Sequence, residues 1–250
     1  MHQDPVAFTA VPPSLEGEPR PRVVWNGRDL LLSLLAGAGF GIVVLTITFS
    51  ALSAADAKPS TPLQLAIAAT ILYGSLCLAG WWFCIRRHGA GPSDAGLEWV
   101  GWGPVLLMMP GTFGLLLVNA AVFAAIDAVA GDVPTARDQV LGEQTVLPAS
   151  DLGWLILVAV IIAPFAEEFL LRGLLYRYVR AARGALVAMV ISSLVWAAAH
   201  FIPVLILAFF VFGMIEAFVA ERYKSLYPAI ALHALYNGVL VIGLYQTLNP

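Results

Sequence analysis

Long, nearly uncharged stretches are the feature of this chain that most restricts its fold. A bilayer-spanning helix needs about 20 apolar residues, and seven stretches approach that length: roughly 29–54, 62–85, 104–130, 152–172, 185–200, 202–221 and 226–247. Of the 250 residues, 60% are hydrophobic and only 12% are charged, whereas soluble domains have about 25% charged residues. The sequence therefore predicts an all-α polytopic membrane protein with about seven transmembrane helices, whose partner is the lipid bilayer. No basic block indicates nucleic acid binding.

The positions of Lys and Arg predict how the protein is oriented in the membrane. Basic residues are enriched in cytoplasmic loops, and here they flank alternate ends of the spans: Arg20, Arg22, Arg28, Arg86, Arg87, Arg172, Arg177, Arg180, Arg183, Arg222 and Lys224. Seven crossings place all of these on one side and leave only Lys58 and Arg137 on the other. We therefore expect a cell inner membrane protein with a cytosolic N-terminus and a C-terminus outside.

Three parts are predicted along the chain. Residues 1–27 are polar and Pro-rich without an apolar core, which indicates a disordered cytosolic tail rather than a signal peptide. Residues 28–151 hold the N-terminal transmembrane helices and an outer loop at 131–151, and residues 152–247 hold the functional core. Residues 173–183 are expected to continue the fourth span as an amphipathic helix. Cys77 and Cys84 behave as small apolar residues, not as a disulfide or a metal site.

Two adjacent glutamates lie inside the apolar fourth span. A carboxylate at the centre of a membrane costs about 2.5–3.5 kcal/mol on insertion scales, so such residues usually serve a function. Glu168 and Arg172 are four residues apart and can pair on one helix face, which predicts a structural clamp. Glu167 is rotated by about 100° from Glu168. We therefore expect Glu167 to be a free carboxylate that can act as a base.

The other polar residues of the C-terminal half favour the same chemistry. His200 closes the fifth span, and His233 and Asn237 share one face of the seventh. A carboxylate, two imidazoles and an amide form a set suited to water activation by general base catalysis. Glu216 is a weaker candidate, expected to pair with Arg222 or a histidine, or to line the cavity. In the N-terminal half, Asn119 is expected to join two helices, and Asp127 to reach the interface.

These residues resemble the motifs of the CPBP (Abi) family of intramembrane proteases, which includes type II CAAX prenyl endopeptidases and bacteriocin-processing or immunity proteins. Glu-Glu-x-x-x-Arg is Glu167–Arg172 here, Phe-x-x-x-His is Trp196–His200 with Trp in place of Phe, and His-x-x-x-Asn is His233–Asn237. The run before His233 also matches, except that Lys224 replaces the usual glycine. Ala217 stands where a second glycine often follows Gly213.

The resemblance implies an endopeptidase with a protease core in the C-terminal half. Glu167 and His200 would activate a water, and His233 and Asn237 would stabilise the oxyanion. Glu168 and Arg172 would be structural support. The substrate would be a peptide or a membrane-anchored, CAAX-like protein, reached through a cavity open to the cytosolic side. No cofactor is favoured.

Three alternatives remain from the residues themselves. Glu167, His200 and His233 can also be the ligands of a catalytic zinc ion with an open position, although no His-Glu-x-x-His motif is present. A non-enzymatic immunity or binding protein does not need the complete polar set. A transporter can relay protons through intramembrane carboxylates, but related halves with broken helices are expected there.

The depths of two candidate residues conflict in this scheme. A helix that starts at residue 185 on the cytosolic side carries His200 towards the outer side, at about 1.5 Å per residue. Glu167, at the end of a span 152–172, is expected nearer the cytosolic side. We therefore expect tilted helices, or a fifth span that begins outside the bilayer.

Overall fold

The structure is a computed structural model that describes residues 23–131 and 146–249. Within these ranges the chain forms seven main helices and no strand: α1 (Gly27–Ala54), α2 (Thr61–Gly80), α3 (Trp102–Ala130), α4 (Ala149–Arg183), α5 (Ala185–Ala199), α6 (Ile206–Tyr223) and α7 (Leu226–Leu248). The prediction of an all-α polytopic membrane protein is confirmed. Most of the expected tail (1–22) and of the outer loop (132–145) lies outside the described residues.

Two helices differ from the expectation of simple membrane-crossing spans, one by being short and one by being long. Six helical runs of the described chain are long and apolar enough to cross a membrane, but α5 has only 15 residues. That length corresponds to about 22 Å at 1.5 Å per residue, less than the roughly 30 Å hydrocarbon core. In contrast, α4 runs for 35 residues and continues well past Arg172. The predicted continuation of the fourth helix through residues 173–183 is confirmed, although the apolar span was predicted to end at Arg172, which is completely buried.

The single residue between α4 and α5 determines the relative depth of Glu167 and His200. Gly184 has a φ angle of 89°, a conformation that glycine adopts without steric cost, and it reverses the chain between the two helices. Glu167 and His200 are almost equally far from Gly184 along the sequence. Because both helices rise by about 1.5 Å per residue, the two side chains reach the same level. The depth conflict therefore arose from taking residue 172 as the cytosolic end of the span, although the helix itself was predicted to continue through residues 173–183.

Small residues allow α1 and α2 to approach closely. A Cβ atom on Gly37 would lie 2.8 Å from the Cα atom of Leu76, and one on Gly41 would lie 3.2 Å from a methyl group of Leu72. Gly37 and Gly41 form a Gly-x-x-x-Gly pair, the spacing typical of tight helix packing in membranes. This contact fixes α2 against α1, and α2 in turn packs against α4 from residue 149 to residue 176.

A charged network closes the basic end of the bundle. Glu221 accepts two hydrogen bonds from the Arg180 guanidinium, each 2.7 Å long, one from the Tyr176 hydroxyl at 2.7 Å and one from Lys224 Nζ at 2.5 Å. These contacts join α4 to the end of α6. Lys224 has a φ angle of 54°, in the left-handed region that favours glycine. This conformation gives a physical reason for the glycine that usually precedes the motif serine.

Candidate active site

One large cavity contains all four of the predicted catalytic residues. It has a volume of about 790 Å³ and is bordered by α3, α4, α6 and α7 together with the end of α5. Glu167, His200, His233 and Asn237 all line it. Most of the remaining wall is apolar, and electrostatic interactions are stronger beside apolar walls than in bulk water.

Glu167 is held by hydrogen bonds on both of its carboxylate oxygens. The Tyr73 hydroxyl donates to Oε1 at 2.5 Å, and the Trp196 indole N–H donates to Oε2. The side chain is 12% exposed. The expectation of a free carboxylate is therefore wrong, because the two donors come from helices α2 and α5, and contacts between distant helices are not visible in the local sequence. Each oxygen still has capacity to accept a further hydrogen bond.

Glu168 joins an arginine and a histidine in the interior. Arg172 Nη1 lies 3.0 Å from Glu168 Oε1, and both side chains are completely buried. Arg172 Nη2 also donates to the Gly213 carbonyl at 2.9 Å, which links α4 to α6. In addition, His233 Nδ1 lies 3.1 Å from the same Glu168 oxygen. Glu168 therefore does more than pair with Arg172, since it also holds a predicted catalytic histidine in place.

His200 is fixed at one nitrogen and open at the other. Its Nδ1 lies 2.9 Å from the Trp196 carbonyl oxygen. A carbonyl oxygen only accepts hydrogen bonds, so Nδ1 carries the hydrogen. In the neutral ring, Nε2 then presents a lone pair. The ring stacks on Phe209 with centroids 4.2 Å apart, which restricts its orientation further.

His233 and Asn237 occupy one face of α7, as their spacing predicts. His233 is almost fully buried, and its Nε2 lies 3.8 Å from Glu167 Oε2. This separation is too long for a direct hydrogen bond, so both atoms can bind a third group. Asn237 Nδ2 donates to the Ala159 carbonyl at 2.8 Å, which uses one of its two hydrogens. His233 thus lies between the two glutamates, a contact that sequence spacing does not indicate.

Glu216 lies apart from the cavity. It is completely buried, and neither of its oxygens has a hydrogen-bond partner among the described residues. The expectation that it pairs with Arg222 or a histidine, or lines the cavity, is wrong, because its position on α6 faces the interior beside Glu168 and Arg172 whereas Arg222 is exposed. Nothing in its contacts gives it a part in the site.

Two cavities meet at Glu167. The larger one follows α3 from Leu116 to Asp127 and α4 from Val158 to Glu167, in the halves of these helices that lie away from the basic residues. A second cavity of about 380 Å³ lies towards the basic end, beside Leu30 and Leu174. Glu167, Trp196 and His200 border both. Under the orientation that the basic residues predict, the larger cavity extends to the non-cytosolic side, which differs from the expected cytosolic opening.

One family model matches the part of the chain that forms most of this site. Residues 149–239 match the model described as "Rce1-like: Type II CAAX prenyl endopeptidase Rce1-like". This region belongs to the CPBP family of proteases. The resemblance drawn from the motifs is thereby confirmed, and the family implies a peptidase. No curated protein and no solved structure matches the chain.

The CPBP region includes α4, α5, α6 and most of α7, but other helices also contribute to the site. Tyr73 on α2 contacts Glu167, and Asn119 on α3 lines the large cavity and donates to the Tyr236 hydroxyl at 2.9 Å. The predicted contact of Asn119 with a neighbouring helix is therefore present. Sequence reasoning missed Tyr73 entirely and considered Trp196 only as a replacement for Phe. A tyrosine in an apolar span is common and gives no signal by itself.

The zinc alternative assigns Glu167, His200 and His233 as the ligands of one metal ion. Among the described residues, no group of three or more His, Cys, Asp or Glu side chains is arranged to hold a metal ion. Both Glu167 oxygens accept one hydrogen bond each, from Tyr73 and Trp196, and keep capacity for a further partner. Cleavage measured with and without a chelator tests whether a metal ion takes part.

Proposed function

We propose that this protein is an intramembrane endopeptidase that hydrolyses a peptide bond of a membrane-associated or CAAX-like substrate without a metal ion. The observation that carries the proposal is the position of Glu167, a carboxylate in a mostly apolar cavity with the Nε2 atom of His233 3.8 Å away. His200 and Asn237 line the same cavity. The match to a family of proteases supports the reaction type.

The residues suggest the following course for the reaction. Glu167 accepts a proton from a water molecule, which His200 Nε2 helps to orient. The resulting hydroxide attacks the carbonyl carbon of the peptide bond and forms a tetrahedral intermediate. The second Nδ2 hydrogen of Asn237 and a protonated His233 donate to its oxyanion. Glu167 then passes its proton to the leaving amine as the carbon–nitrogen bond breaks, which restores the carboxylate.

Glu168 supports this course through His233. A carboxylate that accepts a hydrogen bond from Nδ1 fixes the ring orientation and stabilises the imidazolium, as in other hydrolases that pair a histidine with a carboxylate. Because Nδ1 faces Glu168 at 3.1 Å, Nε2 faces Glu167 and the cavity. The Arg172 guanidinium balances the negative charge of Glu168 in the interior.

The test compares wild type with Glu167→Gln on quenched fluorescent peptides, including membrane-anchored ones, with purified protein in detergent. Glu98→Gln is the matched control, since Glu98 is exposed and lies outside both cavities. We expect cleavage by wild type and Glu98→Gln that resists chelators, and a loss of at least about 100-fold in Glu167→Gln, in the range of a removed general base.

Three results would contradict the proposal. Wild-type cleavage by folded Glu167→Gln would remove Glu167 from the chemistry. Cleavage that disappears with a chelator and returns with zinc would instead assign Glu167, His200 and His233 to a metal. If the wild type cleaves no member of a library of membrane-anchored peptides, a non-enzymatic binding protein becomes the better explanation.

A further inference from the structure

Two side chains from different helices hold the Glu167 carboxylate between them. We propose that Tyr73 and Trp196 are positioning residues, which fix the Glu167 carboxylate for proton transfer by donating one hydrogen bond to each of its oxygens. The proposal rests on the proposed function, in which Glu167 is the base. It adds to the site one residue from α2, outside the matched region 149–239.

The geometry of the contact is what a positioning role requires. The Tyr73 hydroxyl donates to Oε1 at 2.5 Å and the Trp196 indole N–H donates to Oε2. With one donor on each oxygen, the plane of the carboxylate is fixed and rotation about its terminal bond is restricted. Hydrogen bonds to an ionised acceptor are roughly twice as strong as neutral ones, and a largely apolar surrounding strengthens them further.

Trp196 positions two members of the site at once. Its indole N–H contacts Glu167, and its backbone carbonyl accepts a hydrogen bond from His200 Nδ1 at 2.9 Å. Trp196 is 4% exposed, and its ring stacks on Phe212 with centroids 4.9 Å apart. Phenylalanine at this position would preserve the carbonyl contact and the stacking surface but would lack the N–H. The substitution of Trp for Phe therefore supplies a donor that the usual motif does not contain.

The position of Tyr73 depends on the packing of the N-terminal helices. Tyr73 lies on α2 next to Leu72 and three residues before Leu76, which face Gly41 and Gly37 of α1. The same helix packs directly against α4, and this packing brings the Tyr73 hydroxyl to Glu167. The N-terminal half thus contributes to the geometry of a site whose motifs all lie in the C-terminal half.

The test uses two substitutions that each delete only one donor. Tyr73→Phe removes a hydroxyl and Trp196→Phe removes the indole N–H, while both keep an aromatic ring. Because Tyr73 and Trp196 act on proton transfer through Glu167, we expect kcat to fall about 10- to 100-fold for each variant with KM nearly unchanged. This range matches the loss on removal of groups that orient a catalytic group. Equal losses in kcat and kcat/KM indicate an interaction used in the transition state.

Matched controls separate positioning from general stability. Tyr176→Phe deletes a buried hydroxyl that donates to Glu221 at 2.7 Å, and Trp25→Phe deletes a buried indole N–H that donates to the Leu174 carbonyl at 3.3 Å. Both lose a comparable hydrogen bond away from Glu167. We expect all four variants to show similar, small decreases in melting temperature. Only Tyr73→Phe and Trp196→Phe should lose kcat, and the two controls should stay within about twofold of wild type.

The outcomes distinguish this proposal from the proposed function. If wild type cleaves, Glu167→Gln does not, and both Tyr73→Phe and Trp196→Phe keep wild-type kcat, the positioning role is overturned while the function stands. If folded Glu167→Gln cleaves like wild type, the proposed function fails, and Tyr73 and Trp196 then have no catalytic group to position. Equal losses of kcat in the controls and the site variants would also overturn the positioning role, since general destabilisation would then explain them. If Trp196→Phe does not fold, Tyr73→Phe decides the question.

Discussion

Arg172 and Glu168 form an ion pair that is entirely enclosed by the protein, with Arg172 Nη1 3.0 Å from Glu168 Oε1. Taking two charges out of water is costly, so a buried pair adds little net stability over apolar residues of similar size. Removing one partner is different, because the other charge then stays buried without compensation. The pair also keeps Glu168 in contact with His233, which connects the stability of the interior with the proposed chemistry.

We expect Arg172→Met to destabilise the protein by about 3–5 kcal/mol, the usual cost of leaving one member of a buried pair alone. Thermal unfolding in detergent measures the effect. Arg222→Met, at an exposed position of α6, should leave the melting temperature nearly unchanged. The double variant Glu168→Gln/Arg172→Met should recover part of the loss, since no charge then remains unpaired. An unchanged melting temperature in Arg172→Met would disprove the structural role of the pair.

Gly37→Ala and Gly39→Ala test the packing of α1 against α2 within one helix. A Cβ at Gly37 would lie 2.8 Å from the Cα of Leu76, whereas a Cβ at Gly39 meets nothing within 4 Å. Alanine is otherwise favoured over glycine in a helix by roughly 0.5–1 kcal/mol. Gly37→Ala should therefore lower the melting temperature and Gly39→Ala should keep or raise it. Equal effects of the two substitutions would show that α1 and α2 are not held at this distance.

Single cysteines test the predicted orientation in the membrane. Asp127 and Arg222 are both exposed, near opposite ends of the bundle, and basic residues are expected on the cytosolic side. With Cys77 and Cys84 replaced, a membrane-impermeant maleimide added to intact cells should label Asp127→Cys and spare Arg222→Cys until the cells are opened. The reverse pattern would place the large cavity on the cytosolic side and overturn the predicted orientation.

Periodicity and spacing were enough to predict several relationships within single helices. The pairing of Glu168 with Arg172 and the shared face of His233 and Asn237 both follow from a four-residue separation on a helix. Apolar length identified the helices, and the predicted continuation of α4 through residues 173–183 is present, although α5 is too short to cross the membrane as the predicted fifth span would. The motif order also identified the family to which residues 149–239 belong. These features are local, and local sequence is sufficient to predict them.

Contacts between distant helices were decided only by the tertiary structure. The hydrogen bonds of Tyr73 and Trp196 to Glu167 join residues 94 and 29 positions apart, and the contact of His233 with Glu168 joins residues 65 positions apart. In an apolar bundle these distances depend on how closely the helices pack, as the glycines of α1 show, and on where a turn such as Gly184 reverses the chain. The sequence by itself determined which polar groups enter the membrane and on which helices. Helix packing decided which of these groups meet, because only packing fixes the distance between two helices and their relative depth.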